Sequence, residues 1–376
     1  MQRKMALVLS GGGARGAFQA GVVRALFEIS KEAGHMNLFR IVTGVSAGSI
    51  NAAFLATQAD DLDGATARLC DLWRKLQAED VFRTDYTSVT RSALKLVRGV
   101  SLGGISDKLR PVSTGLLNTE PLRQTLAEVL SFAKIGENLM NDRLDAVSVS
   151  ATDYSTSVGV SFVQGRKDFT PWKSANRTSA FTTLTVDHIM ASSAIPLFFS
   201  PISVDGRAYG DGCLRNTAPL SPAVHLGGER LVVVGVRRTH DIDLSSAPNL
   251  APSLGRVLSV LINAIFMDAV EVDLERLRII NQTVDQLRQA GLHSPYRPIE
   301  ALYICPSEGL SDIAQTRNDE LPKIIRFLLA GLGTPEEAAE ILSYLLFEPG
   351  YCGSLVDLGY KDTMSRRAEI LAYLNS

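Results

Sequence analysis

Two stretches decide the fold: Ala6-Leu7-Val8-Leu9-Ser10-Gly11-Gly12-Gly13-Ala14-Arg15-Gly16 and, after one helix length, Phe39-Arg40-Ile41-Val42-Thr43-Gly44-Val45-Ser46-Ala47-Gly48. Ala6 to Leu9 is a short apolar run of the kind that forms a buried strand. After the glycines, Phe18, Val22, Ala25, Leu26 and Ile29 recur at helical spacing, and Gly34 closes that helix. Phe39 to Thr43 makes a second strand, and Ile50, Phe54 and Leu55 mark a second helix. Strand, turn, helix repeated in this order implies a parallel sheet with right-handed crossovers. The expected fold is α/β, with both glycine turns at the carboxyl ends of strands, where such sheets carry their reactive groups.

Gly44-Val45-Ser46-Ala47-Gly48 has the G-x-S-x-G form of a nucleophile elbow, in which a serine sits in strained backbone at a strand-to-helix corner. The plain alternative is a small residue in a tight turn. Gly11-Gly12-Gly13-Ala14-Arg15-Gly16 is backbone free of side-chain bulk, so its N–H groups can face a developing oxyanion. The candidate donors are the amides of Gly12, Gly13 and Ala47. The same loop satisfies a dinucleotide-binding pattern literally, but that pattern needs an acid at the end of the second strand. No Asp or Glu lies between Gly34 and Ser46, and no Gly-Lys-Ser/Thr follows to make a phosphate loop.

The bulk properties exclude several classes. The chain has 376 residues, 45% hydrophobic and 21% charged, with net charge −2, so nothing global favours nucleic acid. Cys70, Cys213, Cys305 and Cys352 are scattered without a C-x-x-C pair, which argues against a disulfide scaffold or a zinc site and fits a reducing, cytoplasmic setting. The apolar run after Met1 ends at Ser10, too short for a signal segment, and Val257 to Met267 is too short to span a bilayer. No cofactor or metal is expected.

Further along, Leu62 to Leu76 and Pro121 to Leu130 read as helices, and Ala146–Ala151 and Val158–Val163 as paired strands. Asp187 is expected to cap a helix. Asp205-Gly206 is a hairpin signal that leads into Asp211-Gly212-Cys213. Leu231–Val236 and Ala301–Cys305 read as strands, and residues 253–290 as helical. The tail is helical, with a capping box at Thr334-Pro335-Glu336-Glu337 and Asp362 expected to cap a last helix.

A serine nucleophile needs a proton acceptor. None of His35, His188, His225, His240 and His293 sits in a glycine-framed turn after a strand. Asp211 does, between Gly210 and Gly212; on pattern alone a plain turn aspartate and a catalytic one are equally good readings. Burial in an apolar pocket would raise its basicity.

Taken together, these motifs resemble the patatin-like phospholipases, over about residues 5–220. The family pattern pairs a G-G-G-x-R/K-G loop with G-x-S-x-G and a later D-G-G/A box; Ala191 to Pro201 is similar to the segment before that box. Cys213 departs from the usual Gly or Ala. The resemblance implies a three-layer α/β/α fold with a mainly parallel sheet, in a catalytic domain over 5–310 followed by a helical extension over 311–376. It implies hydrolysis of phospholipid or other acyl-ester lipid through an acyl-enzyme, with Ser46 as nucleophile and Asp211 as base and acid. Gly12, Gly13 and Ala47 would hold the oxyanion, and Gly11, Arg15, Gly16, Gly44, Gly48 and Gly212 would support the turns. Arg15 reads either as a cation for a headgroup phosphate or as a brace for its own loop; the brace is preferred because the arginine belongs to the turn. An esterase or acyltransferase on the same site, and a silent lipid- or partner-binding scaffold, are the competing functions.

Residues 83–115 carry Arg83, Arg91, Lys95, Arg98, Lys108 and Arg110 against Asp85 and Asp107. Within them Arg91, Lys95 and Arg98 share one helical face, the pattern of an ordinary surface helix or of a lid or peripheral membrane contact.

Overall fold

The computed structural model describes residues 4–35, 38–83, 115–238, 254–266, 268–323, 325–326 and 335–375. The basic segment, between Arg83 and Gly115, lies outside the described residues, as do His240 and Thr334.

The described residues build a ten-stranded sheet from β1 (Met5–Leu9), β2 (Ile41–Val45), β3 (Ala146–Asp153), β4 (Val158–Gly165), β5 (Lys173–Ser174), β6 (Arg177–Phe181), β7 (Ile202–Val204), β8 (Arg207–Asp211), β9 (Arg230–Val234) and β10 (Glu300–Ile304). The main path runs β10-β9-β1-β2-β3-β4-β6-β5, and its first five strands are mutually parallel. The strands β9, β1 and β2 are mostly apolar and fully buried, as expected of parallel strands covered on both faces.

Strand alternation sorts the core into two layers. Leu7, Leu9 and Val42 face one apolar cluster with the helices α1 (Gly16–Glu32), α2 (Ala47–Thr57) and α3 (Leu62–Lys75). Ala6, Val8 and Ile41 face the other, with Leu220, Ala223, Val270 and Leu274 from helices on the far side. The architecture is therefore helix, sheet, helix. The helix Pro349–Ser365 packs along α1: a Cβ on Gly21 would overlap the Val356 carbonyl, and one on Gly359 the Phe18 carbonyl, so the two backbones touch.

Register explains why two distant turns meet. The strand β4 pairs with one edge of β3 along its whole length, from Ala146↔Gly165 to Asp153↔Val158. The other edge is shared: β2 takes it up to Val45↔Ser150, and β8 takes the next position with Ala151↔Asp211. The chain leaving β2 at Ser46 thus turns out of the sheet where β8 delivers Asp211.

Most local signals behave as expected. Gly34 adopts φ +80 at the end of α1, and Asp205 and Gly206 form the β7–β8 turn at φ +49 and +77. Two capping assignments differ. The helix Val186–Ser192 is capped by Thr185, with His188 reaching back to the Thr185 amide, while Asp187 sits in the first turn and accepts from Arg123. A threonine with a hydrogen-bonding partner three residues on outcompetes the aspartate. Asp362 lies inside the helix Pro349–Ser365, where its carboxylate accepts from the Ser307 amide and hydroxyl at 2.8 and 2.7 Å.

Candidate active site

Ser46 stands at the end of β2 and the start of α2 with φ 53 and ψ −128, a conformation that non-glycine residues rarely adopt. The strain persists because hydrogen bonds surround it. The Ser46 amide donates to Ser192 Oγ at 3.0 Å, and that hydroxyl donates to the Ser150 carbonyl at 2.7 Å. The Ser46 carbonyl accepts from Ser193 Oγ at 3.2 Å and from Ser49 Oγ and its amide at 2.6 and 2.8 Å. Gly48 lets α2 start against the end of β1, since a Cβ there would overlap the Leu9 and Ser10 carbonyls.

Asp211 is wholly buried. Its amide donates to the Ala194 carbonyl at 2.9 Å, its carbonyl accepts from Thr152 Oγ1 at 2.9 Å, and Oδ1 accepts from the Cys213 amide at 2.9 Å. Oδ2 has no partner at full hydrogen-bond geometry among the described residues, and the Ser46 hydroxyl is near enough to favour the ionised form. Burial pushes the Asp211 carboxyl up to about 6, against the opposing pull of Ser46 and of the Cys213 amide and thiol. The Cys213 thiol is itself pushed up by burial and by the adjacent carboxylate.

The glycine loop passes the same point. A Cβ on Gly11 would overlap the Cys213 sulfur and press on Ser46 Cβ. Gly13 takes φ +56 and opens a 3₁₀ turn to Arg15, whose amide donates to the Gly12 carbonyl at 3.1 Å. The amides of Gly12, Gly13 and Ala47 donate to no acceptor among the described residues, which leaves them available to an oxyanion. The Arg15 guanidinium is buried against protein: Nε and Nη2 donate to Ser343 Oγ at 2.9 and 2.6 Å, Nη2 pairs with Glu340, and the Tyr344 ring lies 4.7 Å away.

An apolar slot runs from Ser46 between α2, α3 and the helix Glu120–Val129, lined by Ile50, Leu72, Trp73, Leu126, Phe199 and Phe347 among others. The slot is narrow, with about 30 Å³ of it open to the centre of a water-sized sphere. Trp73 is fixed by its indole N–H donating to Asn51 Oδ1 at 2.7 Å.

No described histidine lines the slot or bonds to Ser46. His188 closes its helix cap, with Nδ1 2.9 Å from Thr185 Oγ1, and burial lowers its pKa. His225 stacks on Trp172 at 4.9 Å. His293 is exposed. The described residues contain no cluster able to hold a metal ion and no helix long and apolar enough to cross a membrane. The supporting residues Ser192, Ser193, Thr152 and Asn51 carry no motif of their own. Only the similarity of Ala191 to Pro201 to the family segment hinted at the first two.

The fold is α/β with a mostly parallel sheet, and its two glycine turns and the Asp211 turn meet at one place. The family model described as patatin-like phospholipase matches residues 7–224, more than half of the chain, and the chain belongs to that family. The family acts on lipid esters, and lipid hydrolysis is the activity this membership supports. Among solved structures, VipD from Legionella pneumophila is 15% identical, with 98% of this chain and 67% of that chain covered at a TM-score of 0.32. ExoU of the Pseudomonas aeruginosa type III secretion system, solved in complex with SpcU, is matched at 14% identity, with 90% and 77% covered and a TM-score of 0.27. A comparison with curated protein sequences gives no match.

Proposed function

We propose that this chain is a serine acyl-ester hydrolase of the phospholipase A or lysophospholipase type, working through Ser46 and Asp211 without a histidine. One observation carries the reading: a serine held at positive φ faces a fully buried carboxylate raised to about 6. A pKa there leaves Asp211 ionised at neutral pH, yet basic enough to share a proton in the transition state.

Ser46 Oγ attacks the ester carbonyl while its proton passes to Asp211, and the new oxyanion takes hydrogen bonds from the Gly12, Gly13 and Ala47 amides. Collapse breaks the ester C–O bond, and Asp211 returns the proton to the departing alcohol. Water then attacks the acyl-enzyme by the same route, giving the fatty acid and free Ser46. The apolar slot beside Ser46 takes the acyl chain.

The test is hydrolysis of a chromogenic acyl ester and of phosphatidylcholine vesicles, with fluorophosphonate labelling read by mass spectrometry. Ser46→Ala and Asp211→Asn should each cut turnover by orders of magnitude, and the label should map to Ser46. Full activity in either variant would sink the dyad. Alkyl esters formed in the presence of an alcohol acceptor would favour acyl transfer instead. Vesicle binding without hydrolysis by the unmutated chain would favour a silent scaffold.

A further inference from the structure

The helix Pro335–Leu345 lies more than a hundred residues beyond position 224, where the family match ends. It nevertheless forms one wall of the glycine loop. The loop's entry is held from within the matched region, by Gln19 Nε2 donating to the Ser10 carbonyl at 2.8 Å. Its exit is held from outside that region. The Arg15 side chain is pinned by Ser343 and Glu340, and Ser343 Oγ donates in turn to the Glu340 carbonyl at 2.6 Å. The Tyr344 carbonyl fills the space that a side chain at position 13 would need, so loop and helix are in backbone contact. Phe347, just past the helix, lines the slot at Ser46.

From this packing we infer that Glu340 and Ser343 are positioning residues for catalysis: through Arg15 they fix the direction of the Gly12 and Gly13 amides. The inference rests on the reading of those amides as oxyanion donors. The link is short. Arg15 closes the turn through its amide to the Gly12 carbonyl, and with its guanidinium pinned and the Tyr344 carbonyl against Gly13 the peptide planes at Gly12 and Gly13 have little room to turn. A glycine loop with φ +56 at Gly13 has no side chain of its own to resist movement there. Oxyanion donors act only when aimed at the transition-state oxygen, and an error of about 1 Å in placement costs about a hundredfold in rate. The partners also suit a permanent brace. Burial works against ionising Glu340, but the charge and hydrogen bond of Arg15 outweigh it and lower its pKa, so the pair stays charged at neutral pH.

The experiment compares Glu340→Ala, Glu340→Gln and Ser343→Ala in the full chain with Asp357→Asn, which breaks a surface pair with Arg74 on a neighbouring helix. Each is assayed for kcat, KM and inhibition by an alkyl trifluoromethyl ketone, whose serine adduct carries an oxyanion. Glu340→Ala and Ser343→Ala should lower kcat about tenfold to a hundredfold, leave KM nearly unchanged and weaken the ketone in proportion to kcat. Glu340→Gln, which keeps an acceptor for Arg15, should recover part of the loss, and Asp357→Asn should match the parent. Should Glu340→Ala fail to fold, Ser343→Ala carries the test. Folded brace variants with parental kcat and parental ketone affinity would overturn the inference while leaving the dyad intact. Undiminished hydrolysis by Ser46→Ala would overturn both.

Discussion

The two glycine turns leave adjacent parallel strands, with Leu9 opposite Gly44, yet they are held in different ways. The serine turn is locked by short-range polymer neighbours and by Ser192 and Ser193, all inside the family-matched region. The glycine loop carries few side chains and leans on Ser343 and Glu340, more than three hundred residues away in sequence. The contrast follows from composition. A turn that strains one residue can recruit hydroxyls beside it, whereas a turn of three glycines lacks the side chains that would fix it. Its rigidity has to come from elsewhere in the molecule.

The largest expected effect tests the serine turn itself. Ser46→Ala removes the proposed nucleophile and leaves the hydrogen bonds of the Ser46 amide and carbonyl in place. Turnover of a chromogenic ester should fall by about 10⁴-fold or more, with thermal unfolding nearly unchanged. A large fall in melting temperature would mean that the hydroxyl serves the fold.

Asp211→Asn comes next and should separate activity from stability. The carboxyl's folded pKa of about 6 lies above its unfolded value. Its stabilising contribution is thus complete below the unfolded pKa and lost as pH rises through 6; above that, the buried charge opposes folding. For the native chain kcat/KM should fall below about pH 6 as the proposed base is protonated. Asn keeps an oxygen for the Cys213 amide and carries no charge, so at pH 8 the variant should be more stable than the parent, by on the order of 3 kcal/mol for a shift of about two units, and should unfold at a higher temperature. Turnover should drop about 10²- to 10⁴-fold. A variant less stable than the parent at pH 8 would contradict the buried-charge account.

The same contrast explains what could be read from sequence. Both turns are legible because their chemistry is local: glycines at fixed offsets around a serine, and a triple glycine after an apolar strand. Asp211 is legible as a glycine-framed aspartate after a hairpin, although its meeting with Ser46 depends on β2 and β8 sharing one edge of β3, which spacing alone does not reveal. Ser192 and Ser193 look like any small polar residues in a helix end. Glu340 and Ser343 look like the polar residues of an amphipathic helix, and only tertiary contact turns them toward Arg15. Asp187 and Asp362 show the opposite error: an acid near a helix end invites a capping assignment, but competing partners decide it.

Ser192→Ala probes the lock on the serine turn at moderate cost. It leaves the buried Ser46 amide without its acceptor and removes a donor from the Ser150 carbonyl. Stability should fall by about 1–3 kcal/mol, and kcat by about tenfold as Ser46 relaxes from its positive φ. Unchanged kcat in the folded variant would show that Ser193 and Ser49 suffice to hold the elbow.

The smallest effect falls on Cys213, where the two turns and the aspartate come together. Its amide holds Asp211 Oδ1 whatever side chain it bears, so Cys213→Ala keeps that bond and loses the thiol. The thiol favours the ionised carboxylate, and without it the acid limb of kcat/KM should move upward by a fraction of a unit, with activity at pH 8 little changed. Burial and the carboxylate also keep the thiol protonated, which makes it a poor nucleophile toward oxidants. Native enzyme treated with iodoacetamide at neutral pH should therefore retain activity and an unmodified Cys213 in the peptide map. Rapid alkylation of Cys213 with loss of turnover would mean that the glycine loop opens far enough to admit the reagent, and that its distant brace is weaker than the packing around Arg15 implies.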